Sequence, residues 1–328
     1  MRILCLHGYG TSGAIMRSQM HAVISQADPS YEFVFLDGEY ECPPAQGLGG
    51  SVDGPTLCFN KAFGPDEIQS SLDHLDDFIE TEGPFDGILG FSQGGSLALS
   101  YLLRDAETKS LDFSQGHSSC SSPSPAASST VSSHSTSPPR PSFKFAIFLS
   151  TIVAFSPRQE FALDLLTTLT TDDRTILHGF PYETEMRDYK SMSEPQERAL
   201  FFDALGLVLD TSLSGGFIAP DTDLGLEAFT QSLAPKTEEA ISCIPRIIHP
   251  SLLFPLHQVP IPTVHVIGRR DEPALVSLSR LMEKVCEPTL VRSLAHEGAH
   301  DVPRNPRDVR AFWAAVDWAV AEGLRLAW

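Results

Sequence analysis

The chain has 328 residues, of which 42% are hydrophobic, and a formal net charge of -19. This length is enough for one large domain or two ordinary ones with a sizeable core. The charge disfavours nucleic acid and anionic membranes as partners, since both require clustered Lys and Arg, and no apolar run approaches the length of a membrane span.

The first element is a short strand that leads into a glycine-rich loop. Residues 3–6 are continuously apolar, as expected of a strand buried on both faces of a parallel sheet. The loop at 7–13 lacks the Lys-Ser/Thr pair of a P-loop and the G-x-G-x-x-G spacing. A phosphate-binding loop, a plain tight turn and an oxyanion loop are the alternatives. The oxyanion loop is favoured once Ser92 is considered, because the two segments follow neighbouring strands.

Helix and strand patterns alternate through the next part of the chain. Residues 14–26 and 66–82 have the spacing of helices, and 31–36 and 85–89 read as strands. Residues 38–64 are rich in Gly, Pro and Cys, which predicts a loop over the edge of the sheet where a site would lie.

The stretch from Gly90 to Gly94 reads G-x-S-x-G, with Ser92 at its centre. It joins a predicted strand to a predicted helix at 95–103, which is the context of a nucleophile elbow. The glycines allow a strained serine turn to pack closely against its neighbours. A plain Gly/Ser loop is the alternative.

Two stretches interrupt the alternating pattern. Residues 114–142 are almost wholly Ser, Pro, Thr and Ala, which predicts a disordered insertion whose His117 and His134 are not catalytic. Residues 172–262 are long for a connection within a sheet, which predicts a lid or cap, with disorder in part of it as the alternative. Within this region, 194–209 and 223–233 look helical. A strand at 144–153 and a helix at 164–171 separate the two stretches.

Four side chains in the predicted cap are candidates for binding a metal or for catalysis. Asp221 and Asp223 have no third and fourth ligand, so a metal site there is disfavoured. His249 and His257 lie near prolines and are interpreted as ordinary residues of the cap.

The C-terminal part continues the alternation. Residues 263–267 and 289–294 are predicted strands, and 274–286 and 306–322 are predicted helices. Polar loops follow both strands, at 268–273 and 295–303.

Six scattered cysteines without a C-x-x-C pair disfavour a disulfide framework in a chain of this length, and Cys5 reads as a core residue. The first eight residues do not resemble a signal peptide, because their apolar run is short and leads directly into a glycine-rich turn. A reducing, cytoplasmic location is therefore expected.

The alternating elements predict one α/β domain over 1–328, with a mostly parallel, doubly wound sheet. Ligands bind at the carboxyl ends of such strands. Ser92, Asp271 and His300 all fall at such ends, and their order is that of α/β-hydrolases. Histidine would activate the serine, the carboxylate would orient the histidine, and the backbone N–H groups of Tyr9 and Gln93 would form the oxyanion hole.

Neighbouring residues compete for two of these roles. Glu272 and Asp301 are alternative carboxylates, but Asp271 lies directly past a strand end. The alternative to a catalytic role is that Asp271 is a surface residue that pairs with Arg269 or Arg270. His296 competes with His300. We favour His300, on the loop that leads to the closing helix, with His296 supporting that loop by hydrogen bonding.

Three segments, at 6–13, 90–95 and 296–303, resemble the hallmark motifs of the FSH family of serine hydrolases. The resemblance covers about 1–103, 143–155 and 262 to the C-terminus. It implies an α/β-hydrolase fold with the triad Ser92, Asp271 and His300. No cofactor and no metal are expected. The insertion at 114–142 is not typical of the family, and the region before 262 is longer than usual.

Fungal members of that family include thioesterases of the lovastatin-esterase type, which release polyketide chains from their synthases. The resemblance therefore implies an acyl thioester substrate, carried on a carrier protein, and a polyketide synthase as partner. A general carboxylesterase, an acyltransferase and a non-catalytic binding domain are the alternatives that the motifs leave open.

Overall fold

The computed structural model describes residues 1–45, 48, 54–116, 143–163, 245–253 and 257–327. In chain order the elements are β1 (Arg2–Leu6), α1 (Gly13–Gln19), α2 (His21–Ile24), β2 (Glu32–Leu36), β3 (Tyr40–Glu41), β4 (Leu57–Cys58), α3 (Pro65–Glu82), β5 (Gly87–Phe91), α4 (Gln93–Gly116), β6 (Phe145–Leu149), β7 (Thr263–Gly268), α5 (Pro273–Glu283), β8 (Val291–His296) and α6 (Pro306–Leu326). Short 3-10 turns lie at Pro250–Leu252 and Pro288–Leu290.

Six strands form one sheet in the order β2-β1-β5-β6-β7-β8, and every neighbouring pair is parallel. Helices cover both faces. Leu4 of β1 packs in a cluster with side chains of α3, α4 and α5, whereas Ile3 packs on the other face with side chains of α1 and α6. Burial of both faces explains the continuously apolar strands. The predicted doubly wound α/β architecture is confirmed.

Several element boundaries differ from the sequence-based expectation. The predicted helix at 14–26 is two short helices, α1 and α2, separated at Met20. Strand β6 ends at Leu149, because the next residue, Ser150, has a φ of 42° that no strand accommodates. Helix α4 begins at Gln93, two residues before the predicted start, and runs on to Gly116, into the first residues of the predicted insertion.

The predicted loop at 38–64 contains a small antiparallel hairpin of β3 and β4. Tyr40 pairs with Cys58, and Glu41 pairs with Leu57. Leu57 also forms a bridge with Thr11, so the hairpin is attached to the glycine-rich loop after β1. Strands of two residues are too short to show an alternating pattern, which is why the sequence did not reveal them.

The C-terminal end of the predicted cap belongs to the core instead. Ile247, Val259 and Ile261 are buried in the cluster that packs against the sheet. Ile247 bridges Phe155, which follows β6, and the buried Arg246 donates from Nε to the Gln159 carbonyl at 3.1 Å. These described residues pack against the sheet, and the cap over 172–262 stays a prediction.

Several predictions fall on residues outside those described. They concern most of the insertion at 114–142, the helices at 164–171, 194–209 and 223–233, and the remainder of the cap up to 244. They stay predictions.

Candidate active site

The turn between β5 and α4 holds Ser92 in a left-handed backbone conformation. Its φ is 51°, which is uncommon for any residue other than glycine. The turn is held on both sides: the Ser92 N–H donates to the Leu149 carbonyl at 2.9 Å, and its carbonyl accepts from Ser96 N–H at 3.0 Å. The Ser92 hydroxyl is buried and makes no hydrogen bond within the described residues.

The glycines that flank Ser92 permit the close packing that the sequence predicted. A Cβ atom on Gly94 would overlap the carbonyl oxygens of Leu6 and His7 at the end of β1. A Cβ atom on Gly90 would overlap the backbone of the first turn of α4. Glycine at these positions brings the N-terminus of α4 close to the first strand.

Asp271 and His300 meet at the carboxyl ends of β7 and β8. His300 Nδ1 lies 2.9 Å from Asp271 Oδ2. The Asp271 side chain is 2% exposed and that of His300 is 23% exposed. An Nδ1–H that donates to the carboxylate leaves Nε2 as the proton acceptor, which is the tautomer that a general base requires.

The competing carboxylates lie elsewhere. Asp301 forms an ion pair with Arg304 at 2.8 Å. Glu272 is exposed, and its N–H donates to the other oxygen of Asp271 at 2.9 Å. Asp271 is the one of these three for which the structure shows an ion pair with His300, at 2.9 Å.

His296 has the geometry expected of a residue that supports the loop. Its Nδ1 accepts a hydrogen bond from Gly298 N–H at 3.0 Å. The side chain is buried, and this burial lowers the pKa of His296, which favours the neutral ring. A neutral ring with Nδ1 as acceptor holds the turn that leads to His300.

The predicted oxyanion donors lie on segments next to Ser92. Gln93 is the first residue of α4, and a first-turn N–H has no partner within its helix. Its side chain fixes this end of the helix: Oε1 accepts from Phe59 N–H at 3.0 Å, and Nε2 donates to the Asn60 carbonyl at 2.9 Å. Tyr9 lines the same cavity as Ser92.

His7 is a positioning residue to which the sequence analysis gave no role. Its Nε2 accepts from Gly38 N–H at 2.9 Å, so Nδ1 carries the proton and donates to the Gly8 carbonyl at 2.8 Å. Burial lowers the pKa of His7 and keeps the ring neutral. The ring also stacks on Phe59, with centroids 4.7 Å apart. His7 thus holds the backbone just before Tyr9. A histidine directly after a buried strand was the only signal for it in the sequence.

Ser92, Asp271, His300 and Tyr9 all line one cavity of about 760 Å³. That volume suits a ligand of several hundred daltons. The Phe91 ring lies 5.1 Å from the His300 ring and links the elbow to the histidine loop. The residues that line the cavity include charged side chains of both signs: Arg270, Glu272, Glu297, Arg304 and Asp308.

Other predicted or candidate groups lie apart from this cavity. His249 is buried, and burial lowers its pKa to about 4, while His257 lines a separate cavity of about 220 Å³. Within the described ranges, no three His, Cys, Asp or Glu side chains are grouped so that they could hold a metal ion. Asp221 and Asp223 fall outside those ranges, and none of the described helices could cross a membrane.

Comparison with known proteins adds a family and several relatives. The family model described as "Serine hydrolase (FSH1)" matches residues 1–312. The chain is 43% identical to "Esterase alnB" of Emericella nidulans over 319 residues, which cover 97% of this chain and 96% of that protein. It is 26% identical to "Serine hydrolase cnsH" of Penicillium expansum, with coverages of 86% and 96%. It is also 26% identical to "Hydrolase FUB4" of Gibberella moniliformis, with coverages of 95% and 96%.

Proposed function

This chain belongs to the FSH1 family of serine hydrolases, and from that membership we propose that its acyl-enzyme chemistry uses Ser92, Asp271 and His300. The observation that carries the proposal is the contact of 2.9 Å between His300 Nδ1 and Asp271 Oδ2, in a cavity that Ser92 also lines. The enzyme is a hydrolase with an α/β-hydrolase fold.

The reaction proceeds in two halves. Ser92 Oγ attacks the acyl carbonyl while His300 Nε2 takes the hydroxyl proton, and Asp271 stabilises the imidazolium that results. The negative charge on the carbonyl oxygen is stabilised by the N–H groups of Tyr9 and Gln93. When the tetrahedral adduct collapses, His300 returns the proton to the departing alcohol or thiol. Water, deprotonated by His300, then releases the acid and restores Ser92.

The substrate that we propose is a polyketide acyl thioester carried by a synthase. Three features support it: the resemblance of the motifs to polyketide-releasing thioesterases, the relatives in filamentous fungi, and a cavity of about 760 Å³, which can take an acyl group much larger than acetyl. A general carboxylesterase is the second candidate, because the relative with 43% identity is described as an esterase.

A reconstitution experiment separates the two candidates. We expect the protein to raise product release from a polyketide synthase that stalls without a releasing enzyme, measured by mass spectrometry of the released acid. Efficient hydrolysis of short p-nitrophenyl esters with no added product release would instead identify a general esterase. Addition of an alcohol acceptor, with a search for the ester product, tests acyl transfer in the same assay.

The matched control is Ser92→Ala, which should neither release product nor react with a fluorophosphonate probe. If the unsubstituted protein also fails to react with the probe at Ser92, the catalytic assignment is wrong and a binding domain becomes the better interpretation.

A further inference from the structure

Two cysteines face each other on the hairpin of β3 and β4. Cys42 directly follows β3, and its N–H donates to the Thr56 carbonyl at 3.0 Å. Cys58 ends β4, opposite Tyr40. In this register the two side chains lie on the same face of the hairpin, one diagonal step apart. Each thiol has the largest influence on the pKa of the other.

The two thiols have opposite chemical characters. The hydrogen bond with Cys58 lowers the pKa of Cys42, and contacts with the Gly10 backbone, the Tyr9 hydroxyl and the Lys61 cation act in the same direction. That hydrogen bond and burial both raise the pKa of Cys58. The half-buried Cys42 is therefore the nucleophile of the pair, and the buried Cys58 donates the proton.

The remaining described cysteines lack these properties. Cys5 and Cys286 are completely buried, and burial raises the pKa of each thiol. Neither lies in the hairpin, and all four described cysteines are free of disulfide bonds in this structure. Cys5 and Cys286 thus serve as internal controls.

We propose that Cys42 and Cys58 are a modification site, at which hydroperoxides form a reversible disulfide. The Cys42 thiolate attacks a peroxide oxygen, the O–O bond breaks, and a sulfenic acid forms with release of one water or alcohol. The Cys58 sulfur then attacks the Cys42 sulfur, and the hydroxyl leaves as water. The two thiols lose two electrons and two protons in total, and one equivalent of peroxide accepts them.

The hairpin contacts the loop that carries Tyr9 at several points. Gly10 N–H donates to the Leu57 carbonyl at 3.0 Å, and Leu57 N–H donates to the Thr11 carbonyl at 2.7 Å. Ala45 N–H donates to the Gly10 carbonyl at 3.0 Å. Gly10 has a φ of 66° and leaves no space for a Cβ against residues 43–45.

A disulfide would change these contacts. Its S–S bond of about 2.05 Å requires the two Cβ atoms to lie about 3.5–4.5 Å apart, which is closer than diagonal neighbours of a hairpin usually lie. Closure therefore draws the ends of the hairpin together, and it moves the loop with them. We expect the Tyr9 N–H to leave its catalytic position. Formation of the disulfide does not depend on the proposed function, but its effect on activity does.

Peptide mapping tests the disulfide directly. We would use the full chain with Cys120→Ser and Cys243→Ser, which removes the two cysteines outside the described residues. After hydrogen peroxide and alkylation, a protease that cleaves before Asp separates Cys42, in 37–52, from Cys58, in 53–65. We expect these two peptides to be linked after oxidation, and Cys5 and Cys286 to remain alkylatable once the chain is unfolded. Two alkylated thiols, or a sulfinic acid on Cys42 beside a free Cys58, would overturn the proposal.

An activity assay tests the consequence for the active site. Hydrolysis of p-nitrophenyl acetate should fall roughly 10- to 100-fold on oxidation, because small displacements of catalytic groups have effects of that size. Dithiothreitol should restore it, and Cys42→Ser should be unaffected by peroxide. Full activity in the linked protein would contradict the coupling. A reduced protein with no esterase activity would instead count against the proposed function. Peptide mapping would still show whether the disulfide forms.

Discussion

At the scale of single residues, the proposed mechanism depends on the contact between Asp271 and His300, which decides the nitrogen of the imidazole that can accept a proton. The carboxylate contacts Nδ1, so the tautomer of His300 depends on one hydrogen bond of 2.9 Å. Asp271 is almost completely buried, and its other oxygen accepts only a backbone N–H from Glu272 among the described residues. A substitution that keeps the shape of Asp271 and removes its charge therefore tests the tautomer specifically.

We predict that Asp271→Asn lowers kcat for ester hydrolysis by about 10⁴-fold with little change in KM, because the amide favours the wrong tautomer of the histidine. Steady-state kinetics with a p-nitrophenyl ester measure this directly. Glu272→Gln is the matched control, since it neutralises the next residue without touching the imidazole, and it should keep most of the activity. If the two variants behave alike, another carboxylate serves as the acid.

Among single residues, the sequence identifies those whose predicted role follows from their position after a strand. Ser92 and Asp271 follow the buried strands β5 and β7, His300 lies in the loop after the edge strand β8, and the structure brings Asp271 and His300 into contact. The supporting contacts could not be predicted. His7 is held by Gly38, and the Gln93 side chain is held by Phe59 and Asn60. These partners are loop backbones whose positions depend on the tertiary fold.

The elbow shows how one element positions another. The close approach of α4 to β1 depends on the missing side chain of Gly94, because a Cβ there would overlap the carbonyl oxygens of Leu6 and His7. The same carbonyls precede the loop that carries Tyr9. Any widening at this point would therefore move both predicted oxyanion donors relative to Ser92.

We predict that Gly94→Ala destabilises the protein by about 1–3 kcal/mol, as expected of overpacking, and also lowers kcat per folded molecule at least about tenfold, because the oxyanion donors move. Gly323→Ala in α6 is the matched control, since its Cβ would overlap the Lys144 carbonyl far from the cavity. It should lose stability and keep its activity per folded molecule. Urea unfolding and active-site titration measure the two effects separately.

The sequence predicts elements well where burial imposes a pattern. Strands β1, β5 and β6 consist almost wholly of apolar residues or glycine because helices cover both of their faces, and α3 has a clear apolar face. Strand β7 is completely buried as well, although it includes Thr263 and His265. The hairpin of β3 and β4 was missed because two residues are too few to show alternation. The region 172–262 was assigned to a cap because it is long for a connection within a sheet, and its length did not show that Ile247, Val259 and Ile261 are buried in the core.

The molecule as a whole carries several neutral, buried histidines. Burial lowers the pKa of His249 to about 4 and that of His265 to about 3, from an ordinary value of 6.5. It also lowers the pKa of His7 and of His296. Below pH 6.5 the unfolded chain binds protons at these positions that the folded chain does not bind. Their protonation therefore favours unfolding as the pH falls.

We predict that the free energy of unfolding is maintained above about pH 7.5 and falls by about 3 kcal/mol or more between pH 6.5 and pH 5. His249 and His265 contribute about 1.5–2 kcal/mol each over this interval. Urea unfolding at a series of pH values measures the change. His265→Leu removes one titrating ring and should reduce the fall by about 2 kcal/mol. An identical pH dependence in the variant would show that His265 does not titrate as expected.

The junction between Phe155 and Ile247 has a consequence for how this fold can vary. Ile248 N–H donates to the Ala154 carbonyl at 2.9 Å, and Ser156 N–H donates to the Arg246 carbonyl at 2.8 Å. The segment 246–248 thus lies beside the segment 154–156. About 80 residues, 164–244, come between the described parts of the chain at these two segments. The entropy of closing such an excursion changes slowly with its length. Segments of quite different size can therefore be grafted here between homologous enzymes, which makes this junction a natural place to build chimeras with new selectivity.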